Sequence, residues 1–125
     1  MTDAKKLIFL VDDDITNLSI GSSVLSPIYD VITLNSGTRL LKVLEKKMPD
    51  LILLDVLMPE LNGYETLKQI KAIDKFKNIP VIFLTAKTDA DDKQIGMSLG
   101  AFDYIIKPFL PPVLLERIES CLKSQ

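Results

Sequence analysis

Hydrophobic residues fall along the chain in two alternating patterns. Short, nearly unbroken apolar runs have strand length: LIFLV (7–11), YDVITL (29–34), LILL (51–54), PVIFLT (80–85) and FDYII (102–106). Between them lie longer segments that predict helices over 15–26, 38–48, 64–73, 90–100 and 111–123. The second of these carries Leu40, Leu41, Leu44 and Met48 at helical spacing, and the third carries Leu67, Ile70 and Ile73. Punctuation agrees with this division. Asp14 suits the N-cap of the first helix and Pro27 follows its end; Asn35-Ser36-Gly37 and Pro49 bracket the second. Gly100 suits the end of the fourth helix, and Pro111-Pro112 suit the first turn of the fifth. The stretch between Ile73 and Val81 reads as the loosest connection.

Five strand–helix units without internal repeats imply an α/β fold: a doubly wound (βα)₅ parallel sheet with helices on both faces and right-handed crossovers. Strands one, three and four are continuous apolar runs, as strands buried on both faces should be. Strands two and five carry Asp30, Thr33, Asp103 and Tyr104, which suits edges. The strand order 2-1-3-4-5 follows, with strands one and three meeting at the topological switch point. Residues 1–125 form a single domain with no internal boundary.

Composition narrows the function classes. The 125 residues are 47% hydrophobic and 26% charged, ordinary for a globular domain. Fifteen basic residues against 17 acidic ones give a formal charge of −2, and no basic run exists for a nucleic acid to contact. No apolar stretch is long enough to span a membrane, and the N-terminal residues lack a signal-peptide core, so a soluble, cytoplasmic protein is expected. The single cysteine, Cys121, allows no internal disulfide and reads as a small buried hydrophobe. Histidine is absent altogether. That excludes Ser-His-Asp and Cys-His catalysis, His-ligated zinc and a phosphohistidine on this chain.

The third strand raises the chemical question, because LILL runs straight into Asp55, and an ionised carboxylate is costly to bury. In open α/β sheets ligands bind beyond the carboxyl ends of the strands. Those ends carry Asp12-Asp13, Asp55, Thr85-Ala86 and Lys107-Pro108. Each alone has an ordinary explanation as a cap, a turn former or a solvated loop residue. Together they do not. Two like charges about 4 Å apart repel by roughly 4 kcal/mol at an effective dielectric near 20. Asp12, Asp13 and Asp55 therefore need counter-charge, of which Lys107 supplies one part and a divalent cation the rest. Carboxylates without His or Cys select a hard ion, and Mg²⁺ fits because it completes its shell with water and phosphate oxygens. Such a pocket suits a phosphoryl group, with Asp55 as the carboxylate nucleophile that becomes an aspartyl phosphate.

Four motifs at four strand ends, FLVDDD, LLDVLMPELNGYE, PVIFLTA and GAFDYIIKPF, make the chain similar to the receiver domain of two-component response regulators, the chemotaxis-type family. The match runs the length of the chain. The resemblance implies a flavodoxin-like, CheY-like fold and a phosphorelay role in which Asp55 is the phosphoacceptor. It implies that Asp12, Asp13 and Asp55 hold Mg²⁺, Asp13 more closely than Asp12, with the Leu57 backbone carbonyl as a further ligand and Mn²⁺ as a substitute. Thr85 matches the hydroxyl that turns inward to the phosphoryl oxygen, and Lys107 matches the lysine that pairs with acceptor and phosphate. Lys107-Pro108 resembles a peptide bond that is cis in the family. Tyr104 matches the switch aromatic that moves inward with Thr85. The implied partners are a sensor histidine kinase or histidine phosphotransfer protein, and a downstream effector domain or protein. Helix four, strand five and helix five form the implied output surface, where a second copy can also pair. The domain is then a signalling module rather than an enzyme, catalysing only its own phosphorylation and slow dephosphorylation.

Two positions depart from the best-studied members: Leu57, two residues past Asp55, and Lys87, two past Thr85. Neither side chain is suited to holding a hydrolytic water, so slow loss of phosphate is expected. Three rival readings fare worse. An aspartyl-phosphate hydrolase of the haloacid dehalogenase type needs a second Asp where Leu57 stands. A flavodoxin-type FMN carrier needs a Ser/Thr/Gly loop after strand one, where DDDITN would repel a phosphate. A receiver-like docking scaffold that is never phosphorylated has no need of the complete acceptor set. A stand-alone receiver and one excised from a longer protein fit the sequence equally.

Overall fold

The computed structural model describes residues 5–86 and 90–125, so Lys87 lies outside the described residues. The chain runs β1 (Leu7–Val11), α1 (Ile15–Leu25), β2 (Asp30–Leu34), α2 (Gly37–Leu44), β3 (Leu51–Leu54) and α3 (Gly63–Lys71). It continues through β4 (Val81–Thr85), α4 (Ala90–Ser98), β5 (Asp103–Ile106) and α5 (Pro111–Lys123). The five strands form one parallel sheet in the order β2-β1-β3-β4-β5, the order read from the sequence.

Alternation along each strand sends side chains to two separate cores. Phe9, Val11, Ile52, Leu54, Val81 and Phe83 pack against α2 and α3 through Leu40, Leu44, Leu67 and Ile70. Ile8, Leu10, Leu51, Leu53, Ile82 and Leu84 face the other way, onto Leu18 and Leu25 of α1 and Leu114 and Ile118 of α5. Cys121 is fully buried on that second face, and burial pushes its thiol up to about 11, the behaviour of a packing residue. No helix among the described residues is long and apolar enough to cross a membrane.

Local chemistry sets the helix ends. The Asp14 carboxylate accepts from the Thr16 and Asn17 amides at 2.8 and 3.3 Å and caps α1. Ser36 caps α2 through the Arg39 amide at 3.0 Å. Asn62 and Glu65 close a reciprocal capping box at the start of α3. Gly100, with φ +102°, adopts the left-handed conformation after α4 that a side chain would resist.

The fifth helix spans the residues read for it, but the other four are shorter than their periodicity predicts. The spacing that extends the second helix to Met48 is not followed: α2 ends at Leu44, the Lys46 and Lys47 amides fold back onto the Val43 carbonyl, and Met48 is exposed. Pro49 disfavours helical backbone at Met48, and Asp50 is drawn to the Leu7 amide. Ile73 likewise falls beyond α3, which ends at Lys71, and is exposed. Nor is the stretch after Ile73 loose. Phe76 and Ile79 are buried in the first core, and the Phe76 and Lys77 amides bond the Ile73 carbonyl.

Candidate functional site

Register brings the chemistry together. Val11 pairs with Leu54, so Asp12 and Asp55 leave adjacent strands side by side. The Asp55 amide bonds the Val11 carbonyl at 3.0 Å, and the Asp12 amide bonds Leu34 at 3.1 Å, which fixes both backbones to the sheet. Leu54 pairs with Phe83 and Thr85 with Ile106, which puts Thr85 and Lys107 on the same rim. The Lys107 amide bonds the Thr85 carbonyl at 2.8 Å.

Asp12, Asp13 and Asp55 each offer a carboxylate oxygen, and these oxygens lie within 4.8 Å of one another. Asp12 and Asp55 are buried and Asp13 is exposed at the lip. Lys107 reaches over the pair, its Nζ 2.5 Å from Asp12 Oδ2 and 3.6 Å from Asp55 Oδ2. Asp12 is thus the closer partner and Asp55, the partner that the resemblance implies, the more distant one. The other Asp12 oxygen accepts from the Asp14 amide at 2.9 Å, and Asp55 Oδ1 accepts from the Leu57 amide at 3.3 Å.

Burial dominates the Asp55 carboxyl and raises it above the usual carboxylate range. The Lys107 charge, a hydrogen bond from the Thr85 hydroxyl and the Leu57 N–H oppose that rise, while the Asp12 charge adds to it. Thr85 itself is fully buried at the end of β4. Among the described residues the rim gathers three carboxylates around one lysine.

The β3–α3 loop that follows Asp55 is held unusually close. The Gly63 amide bonds the Val56 carbonyl at 2.9 Å. A Cβ on Gly63 would stand 2.3 Å from the Asp55 carbonyl oxygen, so only glycine lets α3 start against the end of β3. Glu60 has φ +67°, and the Leu61 amide bonds the Pro59 carbonyl at 2.8 Å across it. Leu57 projects its side chain outward, 49% exposed at the lip. An open groove of about 450 Å³ is lined by Asp13, Leu57, Asn62 and Tyr64.

Tyr104 sits below the rim rather than on it. Its ring is buried beside Phe83, with centroids 5.9 Å apart. The Lys107–Pro108 peptide is cis, and Pro108 is exposed. Sequence reasoning missed Tyr64, whose hydroxyl reaches the Asp92 carbonyl at 2.9 Å and lies 3.4 Å from the Tyr104 hydroxyl. The NGYE stretch reads only as a helix start, and no local pattern announces a contact 28 residues away.

Comparison with known proteins agrees with this geometry. The family described as the response regulator receiver domain matches residues 8–119. The transcriptional regulatory protein CpxR homolog of Haemophilus influenzae is 43% identical over 117 residues, covering 93% of this chain and 50% of that protein. The chemotaxis protein CheY4 of Vibrio cholerae superposes with a TM-score of 0.88 at 32% identity, over 94% of this chain and 99% of the other. The receiver domain of the sensor histidine kinase PA1611 of Pseudomonas aeruginosa, solved with a magnesium ion in its active-site cleft, gives a TM-score of 0.88 at 28% identity, over 96% and 99%. The chain spans half or less of the length of the curated relatives it matches. With its sheet order, its acidic rim and a family match over nearly all its length, the chain belongs to the response regulator receiver domains of two-component signalling.

Proposed function

We propose that Asp55 is the phosphoacceptor of this receiver and takes a phosphoryl group from a phosphohistidine on a partner sensor kinase or histidine phosphotransfer protein. The observation that carries the reading is the convergence of Asp12, Asp13 and Asp55, three carboxylates crowded within one small rim where Lys107 is the balancing cation among the described residues. Structural capping gives no reason for that crowding, whereas the neutralisation of an incoming phosphoryl group does.

The donor set is all oxygen, which fits a hard cation such as Mg²⁺, or Mn²⁺ in its place. Asp12, Asp13 and Asp55, with the Leu57 carbonyl, are the residues that would hold it. When bound, the ion supplies positive charge to the phosphoryl oxygens and offsets the carboxylate repulsion. The chain's own groups do the rest. The Leu57 amide bonds one Asp55 oxygen and orients the carboxylate. The other attacks phosphorus as the donor's P–N bond breaks. Lys107, bridging Asp12 and Asp55, is placed to take up the charge of the transferred group, and the buried Thr85 hydroxyl is placed to donate to it.

In this reading the domain is a phosphorelay module that acts catalytically only on itself, working in the cytoplasm. Phosphate on Asp55 favours the inward Thr85 hydroxyl and the inward Tyr104 ring, a population shift read out on the α4–β5–α5 face. Exposed Ile106, Leu110 and Val113 make that face apolar enough for an effector or a second copy. Incubation with acetyl phosphate and Mg²⁺ should add one phosphate by intact mass. EDTA should suppress the addition and Asp55→Asn should abolish it; equal labelling of the Asn variant overturns the assignment.

A further inference from the structure

Tyr64 takes no part in the chemistry above, yet it stands between the acceptor loop and the output face. It is the second residue of α3, immediately after the loop that leaves Asp55. Its ring meets Phe83 edge-on, with centroids 5.3 Å apart and planes at 83°. Phe83 is paired in register with Tyr104 on β5. The three rings therefore form one row from α3 across the sheet to the strand of the switch aromatic.

Helix α4 rests on that row at two points. Gly96 lies directly on the rings: a Cβ there would stand 3.1 Å from both Phe83 Cδ2 and Tyr104 Cδ2. One turn earlier, in the first turn of α4, the Asp92 carbonyl accepts from the Tyr64 hydroxyl at 2.9 Å. Four residues separate Asp92 from Gly96, so both points lie on the same helix face. With its proton given to Asp92, the Tyr64 oxygen keeps its lone pairs for the Tyr104 hydroxyl 3.4 Å away. Burial, reinforced by Tyr104, raises the Tyr64 phenol above its ordinary value, so the donated proton is retained at neutral pH.

We infer that Tyr64 is a positioning residue whose hydroxyl ties the seating of α4 to the burial of the Tyr104 ring. One phenol oxygen touches both moving parts, so departure of the Tyr104 ring loosens the tether and opens space beneath Gly96. Displacement of α4 equally leaves the Tyr64 hydroxyl without its acceptor. The inference rests on the reading of Asp55 as phosphoacceptor only in calling α4 and Tyr104 output elements. Its geometry stands without that reading.

The chain has three tyrosines, Tyr29, Tyr64 and Tyr104, so 3-fluorotyrosine labelling gives three ¹⁹F signals that single Tyr→Phe variants assign. Tyr64→Phe keeps the ring on Phe83 and removes only the hydroxyl; Tyr64→Leu removes both. One hydrogen bond shifts a conformational equilibrium by about three- to tenfold. The Phe variant should raise the solvent-exposed population of Tyr104 by that factor and speed amide exchange in α4 equally. A Phe variant that matches wild type in both readouts, with only Leu changing them, reduces Tyr64 to a packing ring and overturns the inference. Acetyl phosphate labelling in parallel separates the two claims. A wild type that does not label overturns the acceptor reading, while a moved Tyr104 signal in the Phe variant still supports the tether. A labelled wild type with an unmoved signal overturns the tether alone.

Discussion

The two ends of the sheet use the same residue types to opposite effect. At the amino ends, the Asp50 side chain accepts from the Leu7 amide at 2.7 Å, and Asp103 pairs with Arg117 at 2.6 Å. Asp50 is exposed and the Arg117 side chain is 46% exposed, so water can replace either contact. Asp50 and Asp103 each have a partner of their own. At the carboxyl ends, Asp12 and Asp55 are 3% and 6% exposed and share Lys107. A carboxylate beside a strand is thus no sign of function. Like charges driven together at one rim are a different matter, because the fold gains nothing from their repulsion and the two buried ones have to share Lys107.

Removing one cation from each end should separate them most sharply. Lys107→Met leaves buried carboxylates facing each other and should cost about 3 kcal/mol of metal-free stability at neutral pH, the scale for breaking a buried pair. The same variant should slow acetyl phosphate labelling on the order of 10²-fold, the loss typical of one charge-stabilising donor. Urea unfolding and labelling time courses measure both. Glu60→Gly, which relieves a left-handed residue in the β3–α3 loop, should gain about 1 kcal/mol in the same unfolding assay. Arg117→Met, at the other end, should cost only about 0.5 kcal/mol and leave labelling unchanged.

The pH dependence of the carboxyl rim has a definite sign. Asp55 in the folded chain holds its proton above the usual carboxylate value, so the folded state binds more protons than the unfolded state. Its contribution to stability is complete below the unfolded value, about 3.9 for an Asp, and is lost as pH rises through the folded one. In EDTA, wild type should therefore weaken relative to Asp55→Asn as pH rises above about 4, then level off once the folded-state carboxyl has ionised. A constant difference across that range would show that burial does not govern this carboxyl. The smallest effect concerns phosphate lifetime. Leu57 is half-exposed at the lip and can hold no water by hydrogen bonding. Leu57→Asn should shorten the lifetime of acid-labile phosphate several-fold, and an unchanged lifetime would remove Leu57 from the path of the water.

The fold was legible because both its signals are repeated five times. Continuous apolar runs at 7–11, 51–54 and 81–85 can only be central strands, and polar residues in the other two mark edges. The rim was legible for the same reason: strand ends are the most sharply punctuated points of the sequence, and Asp12, Asp55, Thr85 and Lys107 all stand on them. What escaped was whatever depends on long-range geometry. Met48 and Ile73 continue the helical spacing of α2 and α3, but Pro49 and the turn that buries Phe76 end those helices first. The preference of Lys107 for Asp12 depends on ångström-scale placement across three strands. Tyr64 joins α3 to α4 through a hydroxyl that no periodicity reports. The capping box of Asn62 and Glu65, by contrast, is present in the sequence as N-x-x-E and needed only to be read.

The central claim is that one of three crowded carboxylates carries the phosphoryl group. Borohydride reduces an acyl phosphate to an alcohol and so converts an aspartyl phosphate into homoserine at the modified position. Wild-type protein should be incubated with acetyl phosphate and Mg²⁺, reduced, digested and sequenced by tandem mass spectrometry. The account predicts homoserine at position 55, with Asp12 and Asp13 intact and with none formed in EDTA. Homoserine at position 12 or 13, or at no position in protein that has gained phosphate, would contradict it.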